Sequence, residues 1–516
     1  MDSLKQPEAR TLLGFPKGAW LIIGVEFWER FSFYGMLSIL ALFLTGEPAH
    51  GGFGWSAAEA LGLVGAYSGS MYAFPAFGGY LADRVLGRRR AVALGASCML
   101  FGQIMLASPL FLPALLGQWR GMPLLQALHE LGVPLGHLMP SEAIVAAIAE
   151  RGVALDAHSG IAWLHQAYIA TGLGFYVAII CLVLGNALMK STLVVLCGET
   201  MSPEDPRREA AYAYYYLGIN IGSMLAGFVV GSVADAFGWA YGFTVGAAGM
   251  AIALGSYFAL ARRCLGAIGL RPDRPAAVGA QSGGLAAGGD LDAASAARSE
   301  ALRRIALILV LALLLCAFSA AWNQLYGSWS LFIERQVDRT VGPFVIPVPW
   351  FASMEALVVI ALAPVVAAVW IRLGARNRRI DIVHKYAFAL AMAAVGHLLM
   401  YIGARHAAEA TPASVYIPLV ALSLLAVGEL VAWTATYGMV SRAAPKGFAS
   451  VTMGAWYLLT LGLGGYLSGF AGRLVDAVGF AATFAMIAAC MGVACLTALL
   501  LRAPLSRLAA RARVAL

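Results

Sequence analysis

Apolar residues along this chain come in long unbroken blocks, such as Gly95 to Leu116 and Ile305 to Ala321, rather than in 3.6-residue stripes with polar residues between them. A helix needs about 20 mostly apolar residues to cross about 30 Å of hydrocarbon, so these blocks read as membrane-spanning helices. Twelve spans are predicted, bounded roughly by residues 18–45, 58–83, 90–113, 163–189, 212–237, 239–262, 303–333, 350–372, 382–404, 413–441, 448–472 and 480–502. Two stretches break the pattern. Ala276 to Glu300 is dominated by Ala, Gly and Ser and holds no aromatic residue, which predicts a flexible linker over 263–302. Spans three and four are separated by an insertion at about 114–162, where Leu124, Leu125, Leu128 and Leu131 precede Gly132 and Ser141 can cap Glu142 to Arg151. Two short amphipathic helices outside the membrane are expected there. The pattern thus predicts an all-α membrane protein, with an N-terminal six-helix half over 1–262 and a C-terminal six-helix half over 303–516.

Composition narrows the class. Of the 516 residues 61% are hydrophobic and 12% charged, about half the ~25% charge of soluble domains, which excludes an ordinary soluble enzyme. The formal charge of +8 would suggest nucleic acid in a soluble protein. Here the basic residues gather in loops on one side: Arg84, Arg88, Arg89 and Arg90 after span two, and Arg372, Arg376, Arg378, Arg379 and Lys385 after span eight. Opposite loops balance their charges, as in Glu334, Arg335, Asp338 and Arg339. The positive-inside rule then predicts both termini in the cytoplasm of a bacterial-type inner membrane, with lipid and not nucleic acid as the partner. The matched placement of the two arginine groups supports two repeated halves, the arrangement of the major facilitator fold.

The first apolar segment carries Glu26, Glu29 and Arg30 and is followed by no small-residue cleavage site, so it is expected to stay as the first span. The seven cysteines show no CxxC spacing, and His129, His137, His158 and His165 fit no compact ligand set. Neither a disulfide framework nor a metal is expected.

Charged residues inside the spans are the informative ones, because each costs at least ~2.5–3.5 kcal/mol at the membrane centre. Glu26, Glu29 and Arg30 stand three and four residues apart on one helical face, with Phe33 and Tyr34 nearby. Lys190 ends the run Ile179 to Met189, Glu355 follows Trp350, Phe351 and Met354, and Glu429 lies within Leu419 to Trp433. A static ion cluster explains Glu26, Glu29 and Arg30, and snorkelling explains Lys190. The surplus of acid over base favours the alternative, a solvated cavity whose carboxylates exchange protons. Trp28, Phe31, Phe33, Tyr34, Tyr72, Trp322, Tyr326, Trp433 and Trp456 accompany these charges and would give the cavity apolar walls. An enzyme built on this scaffold lacks a nucleophile–base pair and a metal set.

These residues also carry a resemblance. Glu26-Phe-Trp-Glu29-Arg30-Phe31-Ser-Phe33-Tyr34-Gly35 resembles the ExxERFxYY signature on the first helix of the proton-dependent oligopeptide transporters of the major facilitator superfamily. Tyr216-Leu-Gly-Ile219-Asn220-Ile-Gly222 is similar to their fifth-helix FYxxINxG, and Gly428-Glu429-Leu430 followed by Ala443-Ala444-Pro445 to their tenth-helix GEL…LAP. The resemblance implies a proton-coupled symporter for short peptides or peptide-like molecules, functional as a monomer, with protons as coupling ions and no cofactor. It implies that Arg30 and Lys190 hold a peptide carboxylate, that Glu429 and Asn220 bind near the amino end, and that Tyr34 and Tyr72 line the pocket. Glu26 and Glu29 would relay the proton, with Glu26 and Lys190 forming a pair that protonation releases. Trp322, Gln324, Glu355, Trp433 and Trp456 fall on or beside pocket positions of the family.

The chain departs from that family at several of these places. The fourth helix reads Lys190-Ser191-Thr192 in place of Lys-Pro-Asn, the eighth has Glu355-Ala356 in place of Asn-Pro, and the tenth has Trp433-Thr434 in place of Ser-Pro. The seventh carries Trp322-Asn323-Gln324 where a Glu-Gln pair is common. The changes leave the substrate open between a peptide and another zwitterion or amine, such as an amino acid or a cationic compound.

Overall fold

The protein is described from a computed structural model, which covers residues 11–12, 14–47, 52–107, 159–202, 205, 207–272, 291–376, 380–409, 411–443, 449–512 and 514. The expected insertion helices with His129, His137 and His158, the middle of the linker at 273–290, Arg378, Arg379, Ala444 and Pro445 lie outside the described residues.

Helix α1 (Lys17–Thr45) is followed by α2 (Ala57–Ala73), α3 (Pro75–Leu81), α4 (Arg88–Leu106), α5 (Ser159–Glu199), α6 (Arg208–Phe237) and α7 (Trp239–Leu265). The second group comprises α8 (Leu291–Trp322), α9 (Ser328–Gln336), α10 (Pro349–Ala375), α11 (Ile382–Glu409), α12 (Tyr416–Ala443), α13 (Ala449–Tyr457), α14 (Leu463–Ser468) and α15 (Phe470–Arg511). Among the described residues nine helices are long and apolar enough to cross a membrane. The described parts of the stretches expected as spans two, three and eleven are helical as well. Helix α8 starts at Leu291, so the C-terminal end of the expected linker is helical.

Local chemistry sets the ends and breaks. Ser56 starts α2 with a reciprocal cap, its Oγ accepting from Glu59 N at 3.2 Å while Ser56 N donates to Glu59 Oε2 at 3.0 Å. Pro75 at the first position of α3 ends α2, because its ring cannot continue the preceding turn. Gly238 and Gly479 join consecutive helices with no loop, at φ of 100° and 78°, a region that side chains resist. Both stand in the same local frame, Asp235-Ala-Phe-Gly238-Trp239 and Asp476-Ala-Val-Gly479-Phe480. That is a second trace of the repeat.

Most helices up to α7 pack on one another, as do most from α8 onward, whereas α2 and α10 pack chiefly on the opposite group and form the two seams that join them. One runs between α6 and α10, where the Trp350 indole donates to Ser232 Oγ at 2.9 Å. The other runs between α2 and α14–α15, where a Cβ placed on Gly65 would lie 2.6 Å from the backbone of Gly469. Only glycines permit that approach, and Ala58 N donating to Asp476 Oδ2 at 2.7 Å fixes its outer end. These contacts lie at the end opposite the arginine-rich loops. At the arginine-rich end Arg88 pairs with Asp83 at 2.9 Å and also with Glu199, binding the α3–α4 turn to the end of α5. In the loop before α6, hydrogen bonds from Arg207 hold the Asp205 carboxyl down at about 2.

Candidate functional site

Helix α1 carries the densest charge group. Glu26, Glu29 and Arg30 are 3%, 0% and 2% exposed. Arg30 Nε lies 3.3 Å from Glu26 Oε1, and its guanidinium also pairs with Glu29, with Nη2 donating to Glu29 Oε1 at 2.8 Å. The same Nη2 donates to Asn186 Oδ1 at 3.0 Å, and Asn186 Nδ2 donates to the Met71 carbonyl at 2.8 Å. One guanidinium and one amide therefore tie α1, α2 and α5 together.

Lys190 follows Asn186 by one turn of α5, and its ammonium sits 3.7 Å from the centre of the Tyr72 ring. The Arg30 guanidinium lies 5.0 Å from the centre of the Phe33 ring. Aromatic faces thus stand in for part of the water these cations lose. Where the resemblance implies a Glu26–Lys190 pair, the structure gives Glu26 to Arg30 and Lys190 to Tyr72. The group balances two carboxylates against two cations. A carboxylate that takes up a proton leaves one cation free for an arriving anion.

A second group lies on the other half. Helices α10 and α12 bring Glu355 and Glu429 to the end of α8, where the Trp322 indole donates to Glu429 Oε2 at 2.8 Å and reaches Glu355 Oε1 at 3.5 Å. Glu355 is 4% exposed. Tyr326 packs edge-on to Trp322 at 5.7 Å and lies 6.1 Å from Tyr34 of α1, so two tyrosines bridge the halves between the charge groups. Tyr216 of α6 faces both carboxylates and is 42% exposed. Asn220 donates its own amide to the Tyr216 carbonyl at 2.9 Å and keeps its side-chain oxygen as an acceptor.

The remaining expected site residues are placed differently. Gln324 spends its amide on structure, donating to the Ser468 carbonyl at 3.1 Å and accepting from Ser328 Oγ at 2.7 Å, which staples the α8–α9 break to α14. Trp433 and Trp456 are 8% and 0% exposed within the apolar core, and the Trp456 indole N–H has no hydrogen-bond partner among the described residues.

Asn186 is the member of this cluster that the charge-based reading passed over. It is fully buried inside the apolar run Ile179 to Met189, and the cost that singles out a carboxylate in a span applies to an amide too. Hydrogen bonds to a charged partner contribute about 1.5–3 kcal/mol. Asn186→Leu is therefore expected to lower stability by about 2 kcal/mol, read as a lower melting temperature of the detergent-purified protein. An unchanged melting temperature would show that Arg30 is held by its carboxylates alone.

Comparison with known proteins adds independent findings. The profile of the POT family matches residues 89–278 and 288–496. The peptide transporter YePEPT of Yersinia enterocolitica is 28% identical, over 92% of this chain and 91% of its own length. Dipeptide and tripeptide permease A of Escherichia coli (strain K12) is 24% identical over 90% of this chain and 87% of its own. A solved peptide transporter POT in complex with sulfate superposes with a TM-score of 0.74 at 23% identity, covering 97% of each chain. A POT family transporter in complex with 5-aminolevulinic acid gives a TM-score of 0.74 at 19% identity, covering 96% of this chain and 98% of its own. The fold is that of these proteins, an all-α membrane protein of the major facilitator type.

Proposed function

The chain belongs to the POT family, and from that premise we propose that it is a proton-coupled symporter importing short peptides or peptide-like molecules by alternating access. It is an integral membrane transporter and not an enzyme. The observation that carries the reading is the division of the pocket into two poles. Arg30 and Lys190 stand on one half, Glu429 and Glu355 on the other, with Tyr34 and Tyr326 between them. A molecule with a carboxylate at one end and an ammonium at the other matches both poles at once. Arg30 and Lys190 take the carboxylate, Glu429 and Asn220 take the amino end, and Tyr34 and Tyr72 line the passage. A proton on Glu26 or Glu29 frees the cations for that carboxylate.

The arginine-rich end is cytoplasmic in this reading, which puts both termini on the cytoplasmic side of a bacterial-type inner membrane and gives the chain twelve spans, acting as a monomer. The seams close the outer end and the pocket opens inward. Substrate entering from outside requires both seams to part and the inner ends to close.

A second reading keeps the proton coupling and changes the cargo to a smaller zwitterion or an amine. It is favoured by the added carboxylate of Glu355, and a protein of the same fold is solved with 5-aminolevulinic acid, which carries one amine and one carboxylate. Reconstitution in liposomes separates the two. An inward proton gradient is expected to concentrate labelled dialanine inside the vesicles. Accumulation of 5-aminolevulinic acid without dialanine would select the second reading, and accumulation of neither would overturn proton-coupled import of this class.

A further inference from the structure

The two poles differ in one respect that the proposed function does not use. Glu26 and Glu29 are matched by Arg30 and Lys190. Glu355 and Glu429 are matched by no base: among the described residues no lysine, arginine or histidine pairs with either carboxyl, and the Trp322 N–H is their shared donor. The titratable groups that face them are tyrosines, Tyr326 from the α8–α9 break, Tyr216 from α6, and Tyr34 and Tyr72 toward Glu429 from α1 and α2. A neutral phenol cannot compensate a carboxylate's charge.

A buried carboxylate at Glu355 and a half-buried one at Glu429, reached by one indole N–H, do not both stay ionised in a poorly solvated pocket. Geometry also limits what the indole supplies, since at 3.5 Å it is at the edge of hydrogen-bond reach for Glu355. The 4% exposed Glu355 side chain is thus a buried acid set among aromatic faces, and its nearer hydrogen-bond partner is the Glu429 carboxyl, a contact that needs a proton between the two. Carboxylates ringed by tyrosine and tryptophan faces are chemically suited to organic ammonium groups.

We infer that Glu355 and Glu429 share one proton in the empty pocket and exchange it for a second cationic group on the substrate, so that peptides bearing a basic side chain are the preferred cargo. The inference rests on the peptide reading above and names its substrate class. The charges balance as follows. Empty, the pair has two carboxylates and one proton, a net charge of −1. A neutral dipeptide brings one ammonium to this pole, which cancels that charge, and the proton stays. A dipeptide with a lysine side chain brings two ammonium groups, and the shared proton leaves to solvent. Glu355 is the specificity-determining residue, because a single carboxylate at Glu429 is satisfied by one ammonium.

Calorimetric titration of the purified transporter with Ala-Ala and with Ala-Lys, each in two buffers of different ionisation enthalpy, counts the protons exchanged. The lysyl peptide is expected to bind about tenfold more tightly, about 1.4 kcal/mol, and to release about one proton more than Ala-Ala. Glu355→Gln is expected to bring both peptides to the same affinity and the same proton count. The comparison within the unmodified protein decides the matter even if the variant does not fold. Equal affinity and equal proton release for the two peptides would overturn the inference while leaving the peptide reading intact. Absence of binding by either peptide would overturn both.

Discussion

Replacing Glu26 by Gln is expected to abolish concentrative uptake while leaving exchange across the membrane measurable. One proton driven by 100 mV is worth about 2.3 kcal/mol, enough to concentrate a coupled solute about 50-fold. Glu26 is 3% exposed and paired with Arg30 at 3.3 Å. A glutamine there keeps the size of the side chain and offers an oxygen to the guanidinium, but it cannot change charge. The pocket should therefore still bind substrate and rock between faces, and counterflow of labelled against unlabelled peptide should persist. Accumulation in response to a proton gradient should fall to equilibrium. If Glu26→Gln still concentrates peptide like the parent, the proton is carried elsewhere, and Glu29, fully buried in the same cluster, becomes the carrier.

Gly65→Val tests the other half of the cycle and is expected to remove exchange as well. A Cβ on Gly65 would meet Gly469 Cα and N at 2.6 Å and the Gly465 carbonyl at 2.9 Å. All three are backbone atoms, so no side chain can turn aside, and the overlap disfavours the closed outer seam by at least ~1–3 kcal/mol. Each half keeps its own packing, and the protein should still purify as a single species. Both counterflow and gradient-driven uptake are expected to drop more than tenfold. Counterflow at the parent rate would show that the outer end closes without the α2–α14 contact.

The two variants separate what was legible in the chain from what was not. Glu26 stands out in the sequence because a charge in an apolar run needs a reason, and the same logic found Arg30, Lys190, Glu355 and Glu429. The helices themselves were legible for a similar reason: α1 was expected over 18–45 and runs Lys17–Thr45, α7 was expected over 239–262 and runs Trp239–Leu265. Gly65 could not be singled out. The chain has 58 glycines, and which of them faces another backbone depends on the partner helix, which lies about four hundred residues away in sequence for Gly65 and Gly469.

Breaks within helices were only partly visible. Pro75 announces the end of α2, whereas the interruption at Asn323–Tyr326 is held by Gln324, which accepts from Ser328 nearby and donates to the Ser468 carbonyl far along the chain. Span seven was accordingly expected as one run over 303–333. Partner choice was the least legible property. The cost of burying Arg30 requires acceptors, yet nothing local says that Asn186 is one of them, or that Lys190 rests on Tyr72.

Helix α2 holds the Met71 carbonyl that anchors Asn186 and, within two turns, the glycines of the outer seam. The proton-binding cluster and the seam are therefore two sites on one rigid rod, and reciprocity between linked sites applies to them. Whatever factor protonation contributes to parting the seam, an external clamp on the seam must return to proton affinity. An antibody fragment that grips the outer ends of α2 and α15 would then act as an allosteric ligand, shifting the acidity of carboxylates that it never touches.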